Sequence, residues 1–433
     1  MHLRAFAGLM AVVLAAALPG VASAQRRAPT TFLVGLDERP LEVTEVRRLA
    51  ADCPRVGQIV GLQFGRGGET LWVSCGSPAP LGGFPPERDN LNARAQFMSQ
   101  MPDTSLDARI FRVSNGALVL HARTDGADAA DLLPIVRAMG AAPWIAGTGY
   151  EEQYTPYVFV AGPDGVERRL SPLRSQIISS SELGDGSAAV LYKAWTHPSR
   201  SGAFPATFLA RIDTATGAVL SNNELALPAS AGHFVIGASI TTERATLFYR
   251  VMGRAPTQAD FYGGSPAPVQ LMRGDFGFDG AMLSAPEVVP HADAAWALPM
   301  PDGFLLVQGA AEGCPNAVAA VVADDGTVRR CFRRSQRDQP SDNLIRRRPT
   351  AAEQYSYEPI LIDDGRYVAV VGLIGPDDMA RDPDIRTTAY IFESARGRYM
   401  GSLSGRSIAF SIDAPLIATT TRSGEVTVWR LER

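Results

Sequence analysis

The feature that most constrains this 433-residue chain is a strand, turn, strand phrase found in six full copies and one half copy. The full copies cover 108–122, 155–170, 206–220, 269–283, 317–332 and 387–403. Each turns at a pair ending in glycine: Asn115-Gly116, Asp164-Gly165, Thr216-Gly217, Asp279-Gly280, Asp325-Gly326 and Arg396-Gly397. Glycine accepts the positive φ that tight hairpin turns demand, so these pairs read as hairpins and not as loose loops. The half copy, 425–431, is a single strand at the chain end, and 30–36 at the other terminus is the candidate to pair with it.

A second hairpin precedes every phrase, and its second strand is apolar along its length: 70–75, 143–146, 188–194, 245–252, 303–309, 366–373 and 416–420. A strand with no polar face must be covered on both sides. Joining each apolar strand to the phrase that follows gives seven four-stranded units. The turn glycines recur near the ~40–50 residues of a propeller repeat, and two wider intervals contain the insertions 253–268 and 333–359. The prediction is an all-β, seven-bladed β-propeller of four-stranded antiparallel blades, the last closed by an N-terminal strand. A β-sandwich is the competing fold, and pairing of the termini is what separates the two.

Residues 1–24 read as a secretory signal peptide, with Arg4 at its positive end, an apolar run over 5–18 and Ala22-Ser23-Ala24 as the cleavage site. The expectation is a single monomeric propeller domain over 25–433, periplasmic or secreted, without a transmembrane segment in the mature chain. With 45 Asp+Glu against 41 Lys+Arg the chain is weakly acidic, which argues against nucleic acid as the main partner.

The last repeat carries Ile408-Ala409-Phe410-Ser411-Ile412-Asp413, then Leu416-Ile417-Ala418-Thr419, then Ser423-Gly424-Glu425-Val426-Thr427-Val428-Trp429. This run resembles the WD-repeat propeller family, where it forms the inner three strands of a blade. The resemblance implies that Phe410 and Trp429 fill the space between blades and that Asp413 holds a tight turn. It also implies a binding platform more readily than an enzyme. Arg430 stands where an acidic residue is usual, Gly405-Arg406 where Gly-His is usual, and Ala414 where Gly is usual. The side-chain hydrogen-bond network of family blades is therefore expected to be missing.

Four cysteines allow three pairings, and the blade arrangement selects Cys53 with Cys75 and Cys314 with Cys331, each pair on one rim. Each bridge closes a loop of the size worth about 3 kcal/mol. Neither Cys pair has a further Cys or His at ligand spacing, so no metal and no cofactor is assigned.

In a four-stranded blade, the links from strand two to three and from strand four to the next blade share one face. That face collects the long segments, which is where binding usually resides. The candidate binding residues on it are Phe84, Trp195, Phe261, Tyr262, Arg346, Arg347, Tyr355 and Tyr357. Aromatic rings suit a protein, peptide or glycan surface, and guanidinium groups suit an anionic one. The Asp-Gly pairs at Asp164, Asp279, Asp302, Asp325 and Asp364 are explained by turn geometry. No catalytic residue is assigned: the G-x-S-x-G and H-E-x-x-H patterns are absent, and His121, His197, His233 and His291 are scattered. The leading reading is an exported, non-enzymatic platform acting through its long-loop face. The alternative is a propeller hydrolase or lyase acting on an extracellular or envelope polymer at the central channel.

Overall fold

The structure is a computed structural model that describes residues 30–33, 41–51, 53, 59–75, 106–124, 137–139, 144–151, 155–162, 167–171, 175–194, 206–227, 234–252, 268–290, 294, 296–307, 314, 317–333, 357–373, 387–405, 407–420 and 425–432. Two N-terminal strands, β1 (Thr30–Leu33) and β2 (Leu41–Ala50), precede the first complete sheet. Blade one is β3 (Ile59–Phe64), β4 (Thr70–Cys75), β5 (Leu106–Arg112) and β6 (Leu118–Thr124). Blade two is β7 (Arg137–Met139), β8 (Trp144–Glu151), β9 (Thr155–Ala161) and β10 (Glu167–Arg169). Blade three is β11 (Ser175–Leu183), β12 (Ser187–Ala194), β13 (Ala206–Asp213) and β14 (Val219–Glu224). Blade four is β15 (Phe234–Ile240), β16 (Ala245–Met252), β17 (Pro268–Phe276) and β18 (Glu287–Val289). Blade five is β19 (Trp296–Met300), β20 (Gly303–Val307), β21 (Ala317–Val322) and β22 (Val328–Arg333). Blade six is β23 (Tyr357–Ile362), β24 (Tyr367–Leu373), β25 (Thr387–Glu393) and β26 (Arg398–Gly405), and the C-terminal strands are β27 (Ile408–Phe410), β28 (Leu416–Thr420) and β29 (Glu425–Leu431).

Blades one to six are antiparallel sheets whose spatial order follows the chain, and the seventh sheet runs β1-β2-β29-β28-β27. The seven-bladed propeller with N-terminal closure is therefore present, and one detail of the closure differs from expectation. The strand hydrogen-bonded to β29 is β2, with Val43 opposite Leu431 and Ala50 opposite Glu425. Thr30–Leu33 lies one place further out, pairing only with β2, so blade seven has five strands. The reason lies in the face that each strand can offer. Leu41 and Val43 are buried against blade six and Leu49 against blade one, while Glu42, Arg48 and Ala50 are exposed, so β2 contributes apolar side chains to both seams of blade seven.

The hydrophobic core is not central. Among the described residues the buried apolar side chains form seven clusters, each joining two consecutive blades around the ring. Strand β4 shows how the sequence achieves this. Leu71, Val73 and Cys75 pack against Ala418 and Val428 of blade seven, while Trp72 between them packs against Phe159 of blade two. Successive side chains of a strand face opposite sides, so a strand between two neighbours must be apolar at every position. The continuous second strands follow from that requirement. Each fully buried Leu, Val or Phe adds ~1.5–3 kcal/mol, so the ring is held by the sum of its seven seams.

The recurring turn glycines have a second role beyond reversing the chain. Gly280 of blade four has φ +85 and presses on Glu224 of blade three, where a Cβ would collide with the Glu224 carbonyl. Gly397 of blade six has φ +63, and a Cβ there would lie 2.7 Å from the Cys331 carbonyl oxygen of blade five. The turn between strands three and four thus docks on the outer strand of the preceding blade. Backbone contact at this joint leaves no room for a side chain.

Both expected disulfides form, with Cα–Cα separations of 5.4 Å for Cys53–Cys75 and 5.6 Å for Cys314–Cys331. Cys53 follows β2 closely and Cys75 ends β4, so the first bridge ties the closing strand of blade seven to blade one. Phe410 and Trp429 lie in the seam between blades six and seven, as the motif implies. One buried side-chain hydrogen bond joins neighbouring strands of this blade. Trp429 Nε1 donates to Thr419 Oγ1 at 2.8 Å in a buried position.

Candidate functional site

Antiparallel strands that follow the chain order place the first-to-second and third-to-fourth links of every blade on one rim, and the other links on the opposite rim. The first rim is closed by short turns whose polar groups are engaged. Arg112 N–H donates to Ala117 O and Gly116 N–H to Arg112 O, both at 2.8 Å, while Asn115 Oδ1 accepts from Ala117 N–H at 3.0 Å. Asp213 Oδ1 accepts from Thr216 N–H at 2.7 Å, Thr216 Oγ1 at 2.8 Å and Ala215 N–H at 3.0 Å. The Thr216 hydroxyl and these backbone donors hold the Asp213 carboxyl below the usual carboxylate range.

Further carboxylates of this rim are occupied in the same way. Asp325 Oδ1 accepts from Thr327 N–H at 2.8 Å, and that bond leads the lowering of its pKa. Asp185 is lowered first by the Ser187 hydroxyl, which donates to it at 2.6 Å, and it also pairs with Arg211. Asp279 Oδ1 accepts from Ala281 N–H at 3.0 Å, and Asp302 pairs with Arg330 at 2.7 Å. Asp363 and Asp364 adopt φ 55 and 52, the left-handed region that Asp enters more readily than most residues. Turn geometry thus accounts for these Asp-Gly positions, Asp164 lying outside the described residues.

The opposite rim receives the long links. Segments 76–105, 195–205, 253–267 and 374–386 leave the ends of β4, β12, β16 and β24, and 334–356 leaves the end of β22. Phe84, Trp195, Phe261, Tyr262, Arg346, Arg347 and Tyr355 lie on these segments, outside the described residues. Tyr357 opens β23 with its backbone opposite Gly372. The eight candidates therefore belong to chain that departs from a single rim. Within the arginine-rich run, Arg330 is already committed to Asp302, so it serves the blade and not a ligand. Among the described residues no group of three or more His, Cys, Asp and Glu side chains could hold a metal ion.

Apolar side chains are also exposed on the outer strands of several blades, Val219, Leu220 and Val288 among them. Leu118 is 51% exposed and Val119 40%, side by side on β6, the outermost strand of blade one. Sequence alone showed an apolar strand there and gave no means of telling a free edge from a covered one. No helix among the described residues is long and apolar enough to cross a membrane.

No family model matches the chain. No curated protein matches it either. Among solved structures, the β-propeller domain of Cps50 (Swd1) from Myceliophteria thermophila is similar at 11% identity and a TM-score of 0.46, covering 90% of this chain and 100% of that one. The WD40 domain of Pan2 from Neurospora crassa is similar at 11% identity and a TM-score of 0.42, covering 92% and 98%. Sheet order, ring closure and the place of the 408–429 motif in the seventh blade make the fold that of a divergent WD-repeat-like β-propeller.

Proposed function

We propose that this chain is an exported, non-enzymatic propeller that holds a protein, peptide or glycan partner on its long-loop rim. The observation that carries the reading is the asymmetry of the two rims: short turns with occupied carboxylates on one, every long aromatic-bearing link on the other. A ring of sheets is a rigid base, and long segments set on a rigid base are where recognition concentrates. Two disulfides fit an oxidising compartment, and with the 1–24 leader they support a periplasmic or secreted location.

The test is capture of envelope proteins and glycans by the immobilised mature chain, compared with a variant carrying alanine at Phe261, Tyr262, Tyr355 and Tyr357. Loss of a specific captured species with an unchanged thermal melt supports the rim. Equal capture by both proteins removes the long-loop face as the binding surface.

A further inference from the structure

Ring closure depends on one strand that reaches blade seven from the far end of the chain. β2 pairs with β29 in two parts, divided by the register shift between Glu45 and Arg47. Its C-terminal part is also fastened to blade one. The Arg47 guanidinium donates to Ser114 O and the Arg109 guanidinium to Ala51 O, each at 2.6 Å, while Leu49 and Ala51 are buried in one cluster with Leu71, Val73 and Cys75. The backbone that joins β2 to β3 is the eight-residue stretch 51–58. The Cys53–Cys75 bridge cuts that leash to the two residues 51–52, because Cys75 ends β4 and is held in its ladder on both sides, opposite Ile59 and Asp107. The second bridge has no such place: Cys314 follows β20 and Cys331 lies on β22, both in blade five, whose four strands are consecutive in the chain.

A leash shortened from eight residues to two raises the effective concentration of β2 at the β29 edge about eightfold, since the probability of closure falls as roughly the three-halves power of length. The bond that shortens it is within reach of a thiol. Cys53 is partly exposed whereas Cys75 is 3% exposed, so the Cys53 sulfur is the one offered to an incoming thiolate. Attack there breaks the S–S bond and releases the Cys75 thiolate, which takes up a proton; the second thiol of the reductant then resolves the mixed disulfide and frees Cys53. Two electrons and two protons pass from the dithiol to the bridge.

We propose that Cys53–Cys75 is a redox-sensitive latch on ring closure: with the bridge intact β2 is held in register on β29, and reduction by a dithiol lets β2 leave, so that the β29 edge takes another copy of the Leu41–Ala50 strand. The latch acts on the joint between blades seven and one. Cys314–Cys331 staples a single blade and does not control closure. The device is independent of what the long-loop rim binds.

The test uses the mature chain carrying Cys314→Ser and Cys331→Ser, which leaves the latch as its one bridge, before and after dithiothreitol. Amide exchange over 47–50 and 426–428 should quicken about eightfold on reduction, while exchange over 369–371 and 389–391 in blade six stays as it was. A fluorescein-labelled peptide of the Leu41–Ala50 sequence, read by anisotropy, should bind the reduced chain about eightfold more tightly than the oxidised one. The Cys53→Ser, Cys75→Ser chain should exchange over 47–50 at the fast rate and show no further change there with dithiothreitol. Wild type before and after dithiothreitol gives the same comparison if either double variant fails to fold, and blade six should again be unaffected. Unaltered exchange over 47–50, an equal acceleration in blade six, equal peptide binding by the two forms, or a response of the Cys53→Ser, Cys75→Ser chain to dithiothreitol at 47–50 would each overturn the latch.

Discussion

The backbone N–H of Gly67 donates to Asp413 Oδ2 at 2.7 Å across the junction where the first and last blades meet. The two residues are 346 positions apart in sequence, so the bond exists only when the ring is closed. The other oxygen of the same carboxylate accepts from Ser411 Oγ at 3.2 Å, which shapes the turn that presents it. Asp413→Ala should therefore lower stability by about 1–2 kcal/mol in urea unfolding, and Asp413→Asn, which keeps an acceptor, should recover about half of that loss. An unaltered midpoint in the alanine variant would mean that water replaces the clamp at no cost.

Two glycines with the same backbone conformation separate strain within a turn from docking between blades. Gly365 has φ +79 with open space around it, whereas Gly397 has φ +63 and sits against the Cys331 carbonyl. Alanine at either position incurs ~1–2 kcal/mol for left-handed backbone. Only Gly397→Ala also forces blade six away from blade five, so its thermal melt should fall by at least about twice as much as that of Gly365→Ala. Similar losses would show that the joint adjusts freely.

The tryptophans at 429 and 72 make a complementary pair. Both are buried, but the Trp429 indole donates to Thr419 Oγ1 at 2.8 Å while the Trp72 indole N–H has no hydrogen-bond partner among the described residues. Phenylalanine at 429 strands the Thr419 hydroxyl in a buried seam, which costs about 1–3 kcal/mol beyond the lost contact. At 72 the same substitution removes an unsatisfied donor, and that gain offsets part of the lost contact. Denaturant midpoints should order the proteins as wild type, Trp72→Phe, then Trp429→Phe. The reverse order would contradict the role given to the Thr419 bond.

Blade number and boundaries were legible because two local rules act in every repeat: a glycine turn that must adopt positive φ, and a second strand covered on both faces. Closure was read correctly in kind but assigned to the wrong segment. Thr31, Phe32 and Leu33 look like a strand, whereas Leu41–Ala50 has Glu42, Glu45, Arg47 and Arg48 scattered through it. Its register shift between Glu45 and Arg47 breaks the simple alternation, so that Leu41 and Val43 face blade six while Leu49 faces blade one. The Trp429–Thr419 bond left no mark in the sequence, because a threonine inside an apolar strand gives no separate signal. The links carrying Phe84, Phe261, Tyr262 and their companions could be traced only to the strand ends they leave, because long links lack the periodicity that fixes strands.

Acid should weaken this protein through the rim of tight turns. Asp185, Asp213 and Asp325 all have folded-state values below the ordinary 3.8, led respectively by the Ser187 hydroxyl, the Thr216 hydroxyl and the Thr327 backbone N–H. A depressed carboxylate binds its proton less readily in the folded chain than in the unfolded one. Its contribution is therefore complete above about pH 3.8 and disappears as pH falls through the lower folded values. Urea midpoints of the wild type should stay level from neutral pH to about 5 and drop below about 4. The double variant Asp213→Asn, Asp325→Asn keeps side-chain acceptors but carries no charge at either turn. It should be the less stable protein at pH 7, and its deficit should shrink as the pH falls below 3.8 and the wild-type carboxylates become protonated. A deficit that stays constant across that range would show that the charge of these two turns contributes nothing, leaving hydrogen-bond geometry alone to hold the rim.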